Sequence, residues 1–393
     1  MRHSSLLRHD QTLFQDIDVF DHTYLPEYFN HRDAQMRELA FLIHPTLQGG
    51  RAINGILRGP PGTGKTTAVR RVFAELKETT RKVIPAYVNC RQNATQTAVY
   101  RSIFEEIFGY TPSVGRHLDE IRDGIATRLR DADARLLVCF DDANYLVAAG
   151  TYNILLYQLL RLHERWDGVR DAGVFAVTSD LRQNLCAEAD GPVWSVFHPH
   201  EVNFWPYTRT EIRAILSDRV QQGLYPGVMP AGVLDLVAKI AADAGDIRVG
   251  IDLLRAATAR TETDGRRRVT QKDVQDEVSG VKSPVLATRT AALSSGERSL
   301  LYQLAERSLA GDDMMAGAVF EEMQDYIGVR KTAYHARLRK LATIGIIDLL
   351  HTRNGHEVFL RYPPGEIFSA CAGDLASSGK DKQAGALNIP SDP

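Results

Sequence analysis

The chain is 393 residues long, with 44% hydrophobic and 24% charged residues, proportions that describe an ordinary soluble protein of two or three domains. A formal net charge of −2 excludes binding to a polyanion through overall charge, so any nucleic-acid contact must come from local patches. The cysteines Cys90, Cys139, Cys186 and Cys371 form no C-x-x-C pair, which argues against zinc, and no apolar run is long enough to span a membrane or to serve as a signal peptide.

In chain order, residues 1–20 carry mixed charge and are expected to form an arm. A helix is predicted through about Leu47, with Met36, Leu39, Ala40 and Ile43 at helical spacing. Ile53–Arg58 then reads as a short strand, followed by Gly59-Pro60-Pro61-Gly62-Thr63-Gly64-Lys65-Thr66 and the onset of a helix at Thr67. This is the G-x-x-x-x-G-K-[ST] pattern in the strand–turn–helix setting that a phosphate-binding loop requires. The glycines let successive N–H groups turn inward around a phosphate, and the helix start adds partial positive charge. Lys65 is placed to reach the β- and γ-phosphates of ATP or ADP, and the Thr66 hydroxyl to ligate Mg²⁺.

Further strands are predicted at Val83–Cys90, Arg135–Phe140, Gly173–Asp180 and Val202–Trp205, with helices near 95–109, 116–130 and 151–165 between them. The alternation implies a mostly parallel, doubly wound α/β sheet, whose ligands gather at the carboxyl ends of its strands. Lys65, Asp141, Asp142 and Ser179 would meet there. Asp141 is the expected metal carboxylate, acting through water, and Asp142 is expected beside the attacking water. The alternative is that the paired aspartates cap a turn.

From 206 to about 283 the pattern is purely helical, 284–292 reads as a linker, and Ser294-Ser295-Gly296-Glu297 opens a third unit with a capping-box pattern. Residues 364–393 are expected to be a disordered tail. Within 293–363, Val319–Ile327, a turn at Gly328 and Thr332–Ile344 form a helix-turn-helix pattern. Tyr334, Leu338 and Leu341 share one face of the second helix, with Thr332, His335, Ala336 and Arg339 opposite and Lys340 at the edge. The run 330–340 contains Arg330, Lys331, Arg337, Arg339 and Lys340 without an acidic residue. That composition suits a major-groove reader. A β-hairpin follows, with Arg353 at its Asn-Gly tip and within reach of a phosphate. Protein docking is the other reading of this unit.

Taken together, these motifs resemble an AAA+ ATPase, and more narrowly the archaeal replication initiators related to the origin recognition complex and the cell-division-control helicase loader. The matching pieces are Tyr24-Leu25-Pro26-Glu27 with His31-Arg32-Asp33, the phosphate loop, Phe140–Leu146, Phe204-Trp205-Pro206-Tyr207 and Gly245-Asp246-Ile247-Arg248. The resemblance implies an AAA+ core over 21–205, an α-helical lid over 206–283 and a C-terminal winged-helix domain. It places the 24–33 segment, with Tyr24 and Leu25, against the adenine and Tyr207 in the nucleotide site, together with Pro60, Gly62, Thr63, Gly64 and Thr67 of the loop. It makes Ser179 the sensor-1 residue and Arg248 the sensor-2 residue, where an arginine fork suits phosphate oxygens. The alternative for Arg248 is an exposed arginine at a helix start.

Three departures point to slow hydrolysis: Asp142 stands where most relatives carry Glu, Ser179 where Asn is common, and Pro192 where a trans-acting arginine finger is expected. Residues 110–130 occupy the place of a DNA-pressing helical insertion, with Arg116 its leading cation, although a solvated helix face is an equal reading. The implied partners are double-stranded origin DNA, the minichromosome maintenance helicase and further copies of the chain on DNA, in a cytoplasmic, nucleoid-associated setting without a membrane. The competing expectation is an AAA+ regulator or transposition helper whose winged helix docks protein; the lid arginine and wing disfavour a small-molecule kinase.

Overall fold

The computed structural model describes residues 12–26, 29–113, 115–179, 183–327, 330–352, 355–362 and 364–372. They divide into two units, Met1–Gln271 and Lys272–Pro393.

The first unit begins with α1 (Asp33–Leu47), β1 (Gly55–Arg58), α2 (Lys65–Thr79) and β2 (Val83–Asn89). There follow α3 (Gln96–Phe108), α4 (Leu118–Asp131), β3 (Arg135–Asp141), α5 (Asn144–Ala148), α6 (Tyr152–Leu160), β4 (Gly173–Thr178), α7 (Gly191–Phe197) and β5 (His200–Asn203). The strands form one parallel sheet in the order β2-β3-β4-β1-β5. Burial on both faces explains the continuous apolar runs. On β3, Leu136, Val138 and Phe140 face the layer containing α3, α4 and α6, whereas Leu137 and Cys139 face α1 and α2. The same two-residue alternation puts Asp141 on the α2 side, over the phosphate loop. Asn54 ties the layers: its amide nitrogen donates to the Phe197 carbonyl at 2.6 Å and its oxygen accepts from the Val174 N–H at 3.0 Å.

The lid comprises α8 (Arg209–Gly223), α9 (Ala231–Ala244) and α10 (Ile247–Thr263). A capping box starts α8, with the Thr208 N–H donating to Glu211 Oε2 at 2.7 Å and the Glu211 N–H to Thr208 Oγ1 at 3.3 Å. The expected N-terminal arm is not free over its described part. Phe14 bridges to Leu224, and Phe20 is fully buried with its ring so close to Gly223 that a Cβ there would lie 2.4 Å away. Two aromatic anchors outweigh the mixed charge of the segment.

The second unit opens with α11 (Gln271–Ala291) and continues as α12 (Ser295–Ala310), α13 (Ala316–Ile327), α14 (Lys331–Thr343), β6 (Ile347–Thr352), β7 (Gly355–Leu360) and α15 (Pro364–Ala372). This is a winged helix, with α13 and α14 as the helix pair and β6–β7 as the antiparallel wing. The predicted linker 284–292 is instead the end of α11: Leu286 is buried, and Arg289 Nη1 donates to the Gly345 carbonyl at 2.8 Å and to the Tyr362 hydroxyl at 2.9 Å. Residues 364–372 of the predicted tail are instead α15, whose Ile367 and Cys371 are buried in the core of this unit, and the rest of that prediction lies outside the described residues.

Other differences are local. The last sheet strand lies two residues earlier than predicted, and the short helices α5 and α7 have too few turns to show periodicity. No described helix is long and apolar enough to cross a membrane.

Candidate functional site

The turn after β1 is built around glycines that accept no substitute. Gly62 and Gly64 have φ of 73° and 88°, and Gly64 is also the N-cap of α2. A Cβ on Gly62 would lie 2.1 Å from Asp246 Oδ1, and one on Gly64 would lie 2.7 Å from the Tyr207 hydroxyl. The loop is therefore held by the lid as well as by its own strand.

A cavity of about 610 Å³ opens over this turn. Gly62, Thr63, Gly64, Lys65, Thr66 and Thr67 line it from the loop, and Asp141, Asp142 and Ser179 from the ends of β3 and β4. Tyr24, Leu25 and Tyr207 contribute flat or apolar surface, joined by Pro26, Phe29, Ile215 and Ile251, while Arg248 enters from the start of α10. The sequence-predicted nucleotide residues thus converge, with one exception. Pro60 does not line the cavity; its carbonyl accepts from Lys65 Nζ at 2.8 Å and from Thr63 Oγ1 at 2.9 Å.

Lys65 is 5% exposed, and its ammonium also donates to the Gly59 carbonyl at 2.7 Å. Burial lowers its pKa to about 8, against the opposing pull of Asp141 and Asp142. Thr66 Oγ1 donates to Asp141 Oδ2 at 2.7 Å, and the Tyr87 hydroxyl donates to the same oxygen at 2.6 Å. Asp142 leaves β3 in the left-handed region, with φ of 56°. Burial, and then the neighbouring Asp141, push its carboxyl above the usual carboxylate range. A raised carboxylate is a better proton acceptor at neutral pH.

Arg248 is not simply an exposed arginine. It donates from Nε and Nη2 to the buried Asp246 carboxylate, at 3.0 Å to Oδ1 and 2.7 Å to Oδ2. Asp246 also caps α10 by accepting from the Arg248 N–H at 3.0 Å. Sequence reading matched Asp246 only as a flank of Arg248 and missed its seat on Gly62. Arg32 is matched in sequence only as part of the 24–33 segment, without its contacts: it is 5% exposed, donates from Nε to the Thr63 carbonyl at 3.0 Å and from Nη2 to the Trp205 carbonyl at 2.7 Å, and lies 3.6 Å over the Tyr207 ring. The missed partners are backbone carbonyls, which no residue pattern advertises.

The residues expected to touch DNA divide. On α14, Thr332, Ala336 and Arg339 are exposed and His335 half-buried, while Tyr334, Leu338 and Leu341 form the buried face as predicted. Lys340 contradicts its assignment. It is 7% exposed and paired with Glu297 of α12, whose carboxylate also accepts the Ser294 N–H at 2.8 Å. Arg337 likewise turns inward, donating to the Gly296 carbonyl at 3.3 Å. Arg353 lies outside the described residues. Arg116 stacks 5.4 Å from the Phe104 ring and pairs with Glu120 at 3.7 Å, and the nearby Arg122 is 8% exposed, so the 110–130 segment presents less free charge than its sequence promised. Lys340→Ala is expected to destabilise the second unit by roughly 3–5 kcal/mol, because Glu297 loses its buried partner. Thermal unfolding of the variant checks this; an unchanged Tm with weakened DNA binding would restore the original assignment.

Comparison with known proteins follows the same division of the chain. An AAA domain family matches residues 50–185, and the Cdc6 AAA+ ATPase-type lid domain matches 213–277. ORC1-type DNA replication protein 6 of Halobacterium salinarum is 40% identical over 344 residues, covering 87% of this chain and 90% of its own. ORC1-type DNA replication protein 2 of Methanosarcina acetivorans is 36% identical over 356 residues, covering 90% and 94%. Among solved structures, the Aeropyrum pernix ORC2 protein in its ADPNP-ADP complexes is similar with a TM-score of 0.75 at 25% identity, covering 93% of this chain and 99% of its own. The Aeropyrum pernix ORC1 protein in complex with DNA gives 0.62 at 25% identity, covering 92% and 97%.

Proposed function

The chain belongs to the ORC1-type DNA replication protein family, and from that membership we propose that it is an ATP-dependent replication initiator that binds duplex origin DNA. The observation that carries the reading is the convergence of Lys65, Thr66, Asp141, Asp142 and Arg248 on one cavity between an AAA+ core and a Cdc6-type lid. The chain is an ATPase. Lys65 and the loop N–H groups bind the phosphates, the aromatic and apolar lining of Tyr24, Leu25, Pro26, Phe29 and the lid receives the base, and Asp142 accepts a proton from the attacking water. Ser179 orients that water, and Arg248 reads the γ-phosphate from the lid.

The residues fit Mg²⁺. Thr66 spends its proton on Asp141, so its lone pairs remain for a metal, and no group of three or more His, Cys, Asp or Glu side chains among the described residues forms a dedicated cage. Magnesium is commonly held by one or two protein oxygens, with phosphate and water completing the shell. When bound, Mg²⁺ neutralises charge developing on the phosphates.

Hydrolysis is slow in this reading. Asp142 and Ser179 are short, and Pro192, at the start of α7, carries no cation to offer a neighbouring copy. Asp142→Asn is expected to leave ATP affinity within about twofold while abolishing turnover, measured by calorimetry beside phosphate release. Retained turnover would remove Asp142 from its role.

Thr332, His335 and Arg339 of α14 face the major groove, and Arg116 is the weakest member of the set. The complex recruits the minichromosome maintenance helicase in the cytoplasm at the nucleoid, with further copies joining on DNA. Footprinting on fragments of the source chromosome at several salt concentrations tests this. Protection of discrete repeats, with log affinity falling against log salt by about 0.9 per phosphate contact, is the expected result. Weak, sequence-blind binding would favour the wing as a protein dock.

A further inference from the structure

The metal carboxylate has a second controller that lies outside the phosphate loop. Tyr87 stands on β2 opposite Cys139 of β3 and diagonal to Asp141, on the face that looks toward α2. Its ring is covered by the Arg70 guanidinium at 4.5 Å, which fixes the phenol, and the hydroxyl donates at 2.6 Å to Asp141 Oδ2. Thr66 donates to that same oxygen at 2.7 Å. Two hydroxyls on one oxygen leave Oδ1 as the atom to receive a further partner, and they stop the carboxylate from rotating. Tyr87 also lines the nucleotide cavity.

We propose that Tyr87 is a positioning residue for magnesium: its hydroxyl fixes the rotation of Asp141 and so decides which carboxylate oxygen is presented to the metal's water. The proposal rests on the reading of Thr66 and Asp141 as the magnesium site. Partners that orient metal ligands commonly change metal affinity by about 10–100-fold when removed.

The test is Tyr87→Phe, which keeps the ring beneath Arg70 and removes only the donor. ATP affinity is measured by calorimetry against Mg²⁺ concentration and again in EDTA, with bound Mn²⁺ followed by electron paramagnetic resonance. The expected result is a metal midpoint about tenfold higher, with affinity in EDTA unchanged. An unchanged midpoint overturns the proposal, as does an equal loss with and without metal, which would make Tyr87 a packing residue. Wild-type affinity that ignores Mg²⁺ would overturn the underlying metal reading instead, and that failure shows in the unmutated protein.

Discussion

Lys65→Ala abolishes measurable ATP binding. The ammonium is already desolvated, and its partners are the carbonyls of Gly59 and Pro60, so phosphate oxygens exchange for carbonyls without a new dehydration cost. Two charge-assisted bonds to phosphate are together worth about 3–6 kcal/mol, or on the order of 10²–10⁴ in affinity. The lowered pKa adds a pH signature. Phosphate stabilises the charged ammonium, so nucleotide binding raises the pKa of Lys65 and takes up a proton once the free protein has lost it. Affinity is therefore flat below about pH 8 and falls as pH rises beyond it. Calorimetry between pH 7 and 9.5, with wild type, Lys65→Ala and Lys65→Met, checks both statements. Equal affinity in wild type and Lys65→Ala would contradict the site; loss in alanine but not methionine would make the lysine a structural filler.

What sequence pattern revealed, and what it hid, follows from the distance between partners. The phosphate loop is local, so its spacing is sufficient, and Asp141 is legible because it ends a fully apolar strand, where the ligands of a parallel sheet gather. Lys340 is hidden from a helical wheel, which sees only α14, because its partner Glu297 lies 43 residues away on another helix. After residue 283 Pro284 signals a break locally, while burial of Leu286 and the bonds from Arg289 keep the helix going. Arg32 and Asp246 show the same limit within the site. Their targets are a carbonyl and a glycine, so nothing at the target position marks it as a partner.

That last contact carries the second large expectation. Gly62→Ala should lower ATP affinity at least tenfold, through two separable causes. An alanine at φ of 73° pays roughly 1–2 kcal/mol for the left-handed backbone. Its Cβ would also lie 2.1 Å from Asp246 Oδ1 and 2.6 Å from Cγ, and this carboxylate cannot swing aside, because it caps α10 and grips Arg248 through both oxygens. The lid must back away from the loop, taking Arg248 with it. Asp246→Ala alone should weaken ATP binding by freeing Arg248, yet in combination with Gly62→Ala it should relieve the collision. The double variant is thus expected to bind better than the two single losses predict, with a coupling of about 0.5–3 kcal/mol. Strict additivity in that cycle would mean the carboxylate and the loop glycine do not act on one another, and that Gly62 is required for its backbone angle alone.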